Sequence, residues 1–216
     1  MTVWTPESRG GQRLAGKAAS PIREVIFIDT ECTGMALDAE IWEFAAIRLR
    51  SDGSRHELHM FIAHDTAKAD TLPEPFRTDY TTRCPQNIDE LVSAEAAAAI
   101  IAGFVGINSV VVGAKPAYDS QRLATLFSRY CRRAPSWLNT MIDVCALAAG
   151  RLWASNQHVE FPLHSERLAH QLGICASDFD RHTAMGDVAF VEAIFTRCFQ
   201  LEDMPESDPL NESAAA

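Results

Sequence analysis

Val25-Ile26-Phe27-Ile28-Asp29-Thr30-Glu31-Cys32-Thr33-Gly34 is an apolar run that ends in a pair of carboxylates. Consecutive apolar residues bounded by polar ones read as a strand buried on both faces. Strand side chains alternate faces, so Asp29 and Glu31, two residues apart, point the same way. Two carboxylates side by side repel each other unless a cation lies between them. Hard oxygen ligands of this kind suit Mg2+ or Mn2+. The stretch therefore reads as a buried strand with a candidate metal platform at its end.

Working outward from it, residues 24–29 lead into two further strands, Ile41–Arg50 and 55–63, joined through the turn signal Ser51-Asp52-Gly53. Pro73 and Pro75 mark an irregular segment. Residues 88–103 are Ala-rich and predict a helix. Ser109–Gly113 is a short β-branched strand, and residues 119–132 carry apolar positions at helical spacing. Residues 138–144 predict a strand that runs into a helix ending near Leu152. Residues 165–172 predict a helix closed by Gly173, and residues 182–199 a last helix. Three leading strands followed by alternating helix and strand give an α/β protein: a mixed five-stranded sheet flanked by helices, in the element order of the ribonuclease H-like architecture.

The chain of 216 residues is long enough for one sizeable domain, expected over residues 23–200. Residues 1–22, rich in Gly, Ser and basic side chains, predict a mobile arm, and residues 201–216 a solvated acidic tail. No apolar stretch is long enough to cross a bilayer, and the N-terminal segment lacks the apolar centre of a secretory signal. The six cysteines form no Cys-x-x-Cys pair, which argues against a zinc or redox motif and for reduced thiols in the cytoplasm. A formal net charge of −10 argues against a protein that grips nucleic acid along a broad basic face. It leaves room for an enzyme that touches a few nucleotides through metal ions.

Two further acidic positions stand out. Asp119 follows the buried strand Val110-Val111-Val112 in the stretch Gly113-Ala114-Lys115-Pro116-Ala117-Tyr118-Asp119-Ser120-Gln121-Arg122-Leu123. Alone it would read as a helix N-cap. Asp187 closes His182-Thr183-Ala184-Met185-Gly186-Asp187, and alone it or His182 would read as an ordinary surface group. As a set, in this order and context, they resemble the DEDDh 3′–5′ exonucleases, the superfamily of the proofreading subunit of bacterial DNA polymerase III, RNase T and oligoribonuclease. The first motif, Asp-x-Glu-x-Thr-Gly after a buried strand, matches Asp29 to Gly34. The second, an aromatic and Asp at a strand-to-helix junction with Leu four residues on, matches Tyr118, Asp119 and Leu123. The third, His-x-Ala-x-x-Asp, matches His182, Ala184 and Asp187. The resemblance spans residues 24–199. It departs at Lys115, where the family often carries Asn; the stretch Gly-Ala-x-Pro there is similar to bacteriophage and prophage members, and the departure bears on substrate preference.

The resemblance implies hydrolysis of the 3′-terminal phosphodiester of single-stranded DNA or RNA, with two Mg2+ or Mn2+ ions. In such sites the ions lie about 3.5–4 Å apart. It implies that Asp29 bridges both ions, that Glu31 and Asp187 hold the one carrying the attacking water, and that Asp119 supports the other. His182 would accept the water's proton, and imidazole suits that role because it is mostly neutral just above pH 7. Spacing along one helix would bring His182 and Asp187 within reach of one centre. Thr33, Gly34 and Met35 would contact the terminal nucleotide, although packing explains Met35 about as well. A polymerase or repair complex is the implied partner class. Rival readings are an oligoribonuclease-like activity on short RNA and a non-catalytic docking domain of a nucleic-acid-processing complex; the retained acids speak against the second. Trp42 and Phe44 are expected in the core and Glu43 on a solvated strand face, outside the site. Asp143 is expected to cap a helix. His56, His59, His64, His158, His164 and His170 show no ligand spacing and receive no role.

Overall fold

The alternation of the first strand sorts the molecule into layers. In the computed structural model, which describes residues 24–36, 38–106, 109–132, 137 and 141–199, β1 (Glu24–Cys32) lies at the centre of a five-stranded sheet. β2 (Ile41–Arg50) pairs antiparallel with it, and β3 (Arg55–Phe61) pairs antiparallel with β2. On the other side β4 (Ser109–Gly113) and β5 (Met141–Asp143) run parallel to β1, giving the order β3-β2-β1-β4-β5. The expected mixed sheet of ribonuclease H-like type is the one observed. The turn between β2 and β3 is closed by Gly53, at φ +83°, with the Arg50 amide donating to the Ser54 carbonyl at 3.0 Å.

Helices cover both faces. Ile26 and Ile28 of β1 face a core shared with α3 (Ala94–Phe104) and α4 (Pro116–Tyr130), built on Phe44, Ala98, Ile101, Leu123 and Phe127. Phe27 faces the opposite core, shared with α5 (Val144–Ala154), α6 (Ser165–Gln171) and α7 (Ala184–Phe199). A smaller cluster of Trp42, Ala69, Leu72, Tyr80 and Cys84 packs α1 (Thr66–Ala69) and α2 (Phe76–Arg83) beside the far end of β2. Local chemistry explains the boundaries. Ser93 caps α3 by accepting from the Ala96 amide, Asp143 caps α5 by accepting from the Cys145 and Ala146 amides, and Gly173 at φ +77° follows α6.

Several boundaries differ from the sequence expectation. The irregular segment around Pro73 and Pro75 is flanked by the helices α1 and α2. The helix expected over 88–103 splits into a 3-10 turn, Ile88–Glu90, and α3, because Leu91 and Val92 are extended and Val92 bridges to Ile62. The second expected helix starts at Pro116 rather than Asp119, since proline suits a first helical turn. The last helix starts at Ala184, not at His182, which holds φ +67°. The expected arm over 1–22, the acidic tail over 201–216 and the first residues of the strand expected from 138 lie outside the described residues. Among the described residues no helix is long and apolar enough to cross a membrane.

Candidate active site

The strand period places Asp29 and Glu31 on the same face as Phe27, toward α7. There they meet Asp187 from the first turn of α7, and ligand atoms of the three carboxylates all lie within 4.8 Å of one another. The approach of α7 is fixed by Gly186. A Cβ at that position would lie 1.8 Å from the Asp180 carbonyl, so only glycine lets the chain close here. The Thr183 hydroxyl accepts from the Gly186 amide at 3.0 Å and starts the helix in register with β1.

Asp119 reaches the site differently. It is a first-turn residue of α4, 3% exposed, and accepts a hydrogen bond from the Thr30 hydroxyl at 2.7 Å. Thr30 points to the opposite face of β1 from Asp29 and Glu31. Asp119 therefore stands outside the three-carboxylate cluster while remaining close enough for its charge to act on Asp29. It is no helix cap: Lys115 occupies that position. His182 is exposed, precedes α7 in the left-handed region, and makes no hydrogen bond or ion pair with the described residues. The structure does not put it on one helix with Asp187, because Thr183 ends the irregular approach and begins the cap.

Burial and neighbouring charge set the electrostatics of the acidic site. Burial, followed by the charges of Asp119, Asp187, Glu31 and Glu43, holds the Asp29 carboxyl well above the usual carboxylate range. Burial pushes Glu31 up to about 7, against the opposing pull of Arg83. Burial likewise pushes Asp119 up to about 7, against the hydrogen bond from Thr30. Three hard oxygen donors converge on one point, and a donor set of that kind fits a divalent ion of the Mg2+ or Mn2+ class.

Glu43 overturns the expectation of a solvated strand-face residue. It is 2% exposed and sits directly across the β1–β2 ladder from Glu31. Like charges so placed are destabilising unless compensated. His59 compensates from β3 at 2.8 Å, and Arg83 from the end of α2 pairs with Glu43 in a short contact. Arg83 also pairs with Asp79 at 2.7 Å, lies 4.0 Å from Glu31, and stacks 4.8 Å over Trp42. Burial would raise the Glu43 carboxyl, but the hydrogen bonds from His59 and Arg83 outweigh it and hold it below its ordinary value. Sequence reasoning missed both His59 and Arg83. The alternation of β2 and β3 was the available signal: position 43 shares a face with Glu31 once the register is known. On the other flank, Arg181 pairs with Asp187 and stacks 4.0 Å over Phe190. Trp42 and Phe44 are buried, and Asp143 caps α5, as expected.

Thr33, Gly34 and Met35 open the loop after β1. Thr33 is buried, and its hydroxyl accepts from the Glu40 amide at 2.9 Å. Gly34 has φ +147° and its carbonyl accepts from the Tyr118 hydroxyl at 2.8 Å. The Met35 side chain is 80% exposed.

The family model for RNase T-type exonucleases matches residues 26–195. No curated protein matches the sequence. Among solved structures, E. coli Exonuclease I in complex with a dT13 oligonucleotide is 22% identical at a TM-score of 0.60, over 81% of this chain and 40% of that one. The zinc-bound form of the E. coli Exonuclease I–ssDNA complex is 22% identical at a TM-score of 0.61, over 82% of this chain and 40% of that one. The chain thus spans about two fifths of the exonuclease I chains, and at this identity the likeness shows the fold.

Proposed function

From a chain that belongs to the RNase T-type exonucleases of the DEDDh superfamily, we propose a divalent-metal-dependent 3′–5′ exonuclease that releases nucleoside 5′-monophosphates from the free 3′ end of a single strand. The observation that carries this reading is the convergence of Asp29, Glu31 and Asp187 within 4.8 Å, from β1 and α7. These three carboxylates would hold Mg2+ or Mn2+, and Asp119, across β1, would support a second ion. Such ions, when bound, neutralise the phosphate, lower the pKa of a bound water and stabilise the leaving 3′ oxygen. His182 accepts the proton of the attacking water, and its exposure and lack of a partner among the described residues suit it to that task. A left-handed non-glycine residue stores strain, which proteins retain most often at functional positions. Thr33, Gly34 and Met35 form the side of the site that meets the terminal nucleotide. Free thiols at all six cysteines suit work in the cytoplasm.

The test is purified protein with Mg2+ or Mn2+ on single-stranded DNA and RNA of equal sequence, labelled at the 5′ end. Stepwise shortening from the 3′ end with release of 5′-monophosphates, abolished by EDTA, is expected. Activity confined to RNA of a few nucleotides would select the oligoribonuclease-like alternative. Undiminished hydrolysis by Asp187→Asn would overturn the assignment.

A further inference from the structure

The described residues of the loop after β1 are held at both base and tip. At its base the Thr33 amide donates to the Glu40 carbonyl at 2.9 Å, and the Glu40 amide returns to the Thr33 hydroxyl at 2.9 Å. At its tip three consecutive carbonyls are captured by two side chains of α4. The Tyr118 hydroxyl donates to Gly34 O at 2.8 Å. Arg122 donates through Nη2 to Met35 O at 2.9 Å and through Nη1 to Ala36 O at 2.6 Å. The two donors sit four residues apart on one helix face, with the guanidinium stacked 4.6 Å over the Tyr118 ring.

Arg122 is 3% exposed and forms no ion pair with the described residues. Burying a guanidinium without a carboxylate is costly, and carbonyl oxygens are the compensation observed here. Packing does not call for that arrangement, because the side chain at the centre of the captured stretch, Met35, stands in solvent rather than in the core. An apolar thioether on an immobilised backbone, three residues beyond the end of a strand that carries two of the site's carboxylates, is a preformed surface for a flat apolar face.

We propose that Tyr118 and Arg122 are positioning residues that lock the Gly34–Met35–Ala36 backbone so that Met35 meets the base of the 3′-terminal nucleotide. This rests on the exonuclease reading above. The enzyme then requires a base at the terminal position and gains little from its identity, since every base presents a similar face. The lock acts on substrate binding and leaves the metal-binding carboxylates alone.

The experiment compares wild type, Tyr118→Phe, Arg122→Lys and Met35→Ala on two Mn2+-activated substrates: a single strand with an intact 3′ nucleotide, and the same strand ending in an abasic one. Loss of one hydrogen bond corresponds to about a threefold to tenfold change. KM on the intact strand should rise by that factor in Tyr118→Phe and by more in Arg122→Lys, whose ammonium cannot span two carbonyls. The Mn2+ activation midpoint and kcat should stay within about twofold of wild type. On the abasic strand wild type should already show the raised KM, and none of the variants should lose further. Equal losses on both strands, a shifted Mn2+ midpoint, or no loss on the intact strand would each overturn the lock. Tyr118→Phe removes a single oxygen, so it remains informative if Arg122→Lys fails to fold. A wild-type protein that degrades neither strand would sink the exonuclease reading, and the lock with it.

Discussion

Burial raises two carboxyls of the first strand, and that gives the metal-free protein a pH dependence of definite sign. Burial raises Asp29, and it raises Glu31 to about 7. A carboxyl whose folded pKa lies above its unfolded one favours folding while protonated. The stability it contributes is complete below the ordinary carboxylate range and is lost as pH climbs through about 7. In EDTA the melting temperature should therefore fall between about pH 5.5 and pH 8, and calorimetry of Glu31→Gln should show a smaller fall. Adding Mn2+ at the upper pH should restore wild type more than the variant, because an ion that binds only the folded state stabilises it. An identical pH profile in the two proteins would remove the basis for this linkage. For His182 the expectation is kinetic: His182→Ala should lower the rate by roughly 10²–10⁴, the usual worth of a general base. The Mn2+ midpoint should hold, since no ligand is lost. A rate within a few-fold of wild type would leave His182 without the role.

Elements with an apolar stripe were legible in the sequence, and elements held by charge were not. β1, β2, β4 and α4 announce themselves through buried periodic positions such as Ile26, Phe44, Val111, Leu123 and Phe127. α2 has Tyr80 as its one buried residue and otherwise reads Phe-Arg-Thr-Asp-Thr-Thr-Arg, so no 3.6-residue apolar period marks it. Besides Tyr80 on Trp42, what ties it to the sheet is the ion pair of Arg83 with Glu43 of β2. The same blind spot hid Glu43: a charged residue between Trp42 and Phe44 looks solvent-facing until the partners arriving from β3 and α2 are known. Asp29, Glu31, Asp119 and Asp187 could be picked out as a set, through the order of motifs they share with the DEDDh exonucleases, whereas Asp119 and Asp187 alone read as ordinary helix acids. That Asp119 comes in over the other face of β1 depended on where α4 packs. Removing one member of a buried pair costs about 3–5 kcal/mol. Arg83→Met should destabilise the fold by that order in denaturant unfolding, and Arg83→Met with Glu43→Gln should recover part of the loss, because the stranded charge has gone. A double variant no more stable than the single would show that Arg83 acts through packing on Trp42 instead.

Among the described residues positive charge is scarce and mostly committed. Arg48 and Arg50 face Glu24, Arg55 faces Glu57 and Glu192, Lys68 and Arg129 face Glu40, and Arg167 faces Glu160. With a formal net charge of −10, the described residues leave few cations to hold a phosphate backbone. Each phosphate contact on a single strand adds about 0.7 to the salt slope. We expect a slope corresponding to two or three contacts and distributive action, in which all molecules of a long strand shorten in step. A time course with labelled strand in excess checks this; full-length strand and end products without intermediates would require a binding surface beyond the domain. The placement of the three clustered carboxylates has a consequence in time as well. Asp29 and Glu31 are translated early, on the strand around which the sheet assembles, whereas Asp187 arrives on the helix that packs across β1 and β2 last. At roughly 5–20 residues per second the ribosome spends many seconds holding a nascent chain with two of the three clustered carboxylates. Until α7 has emerged and docked, the cluster lacks Asp187, so the proposed ion site comes into being only after the sheet that carries its other two ligands has been made.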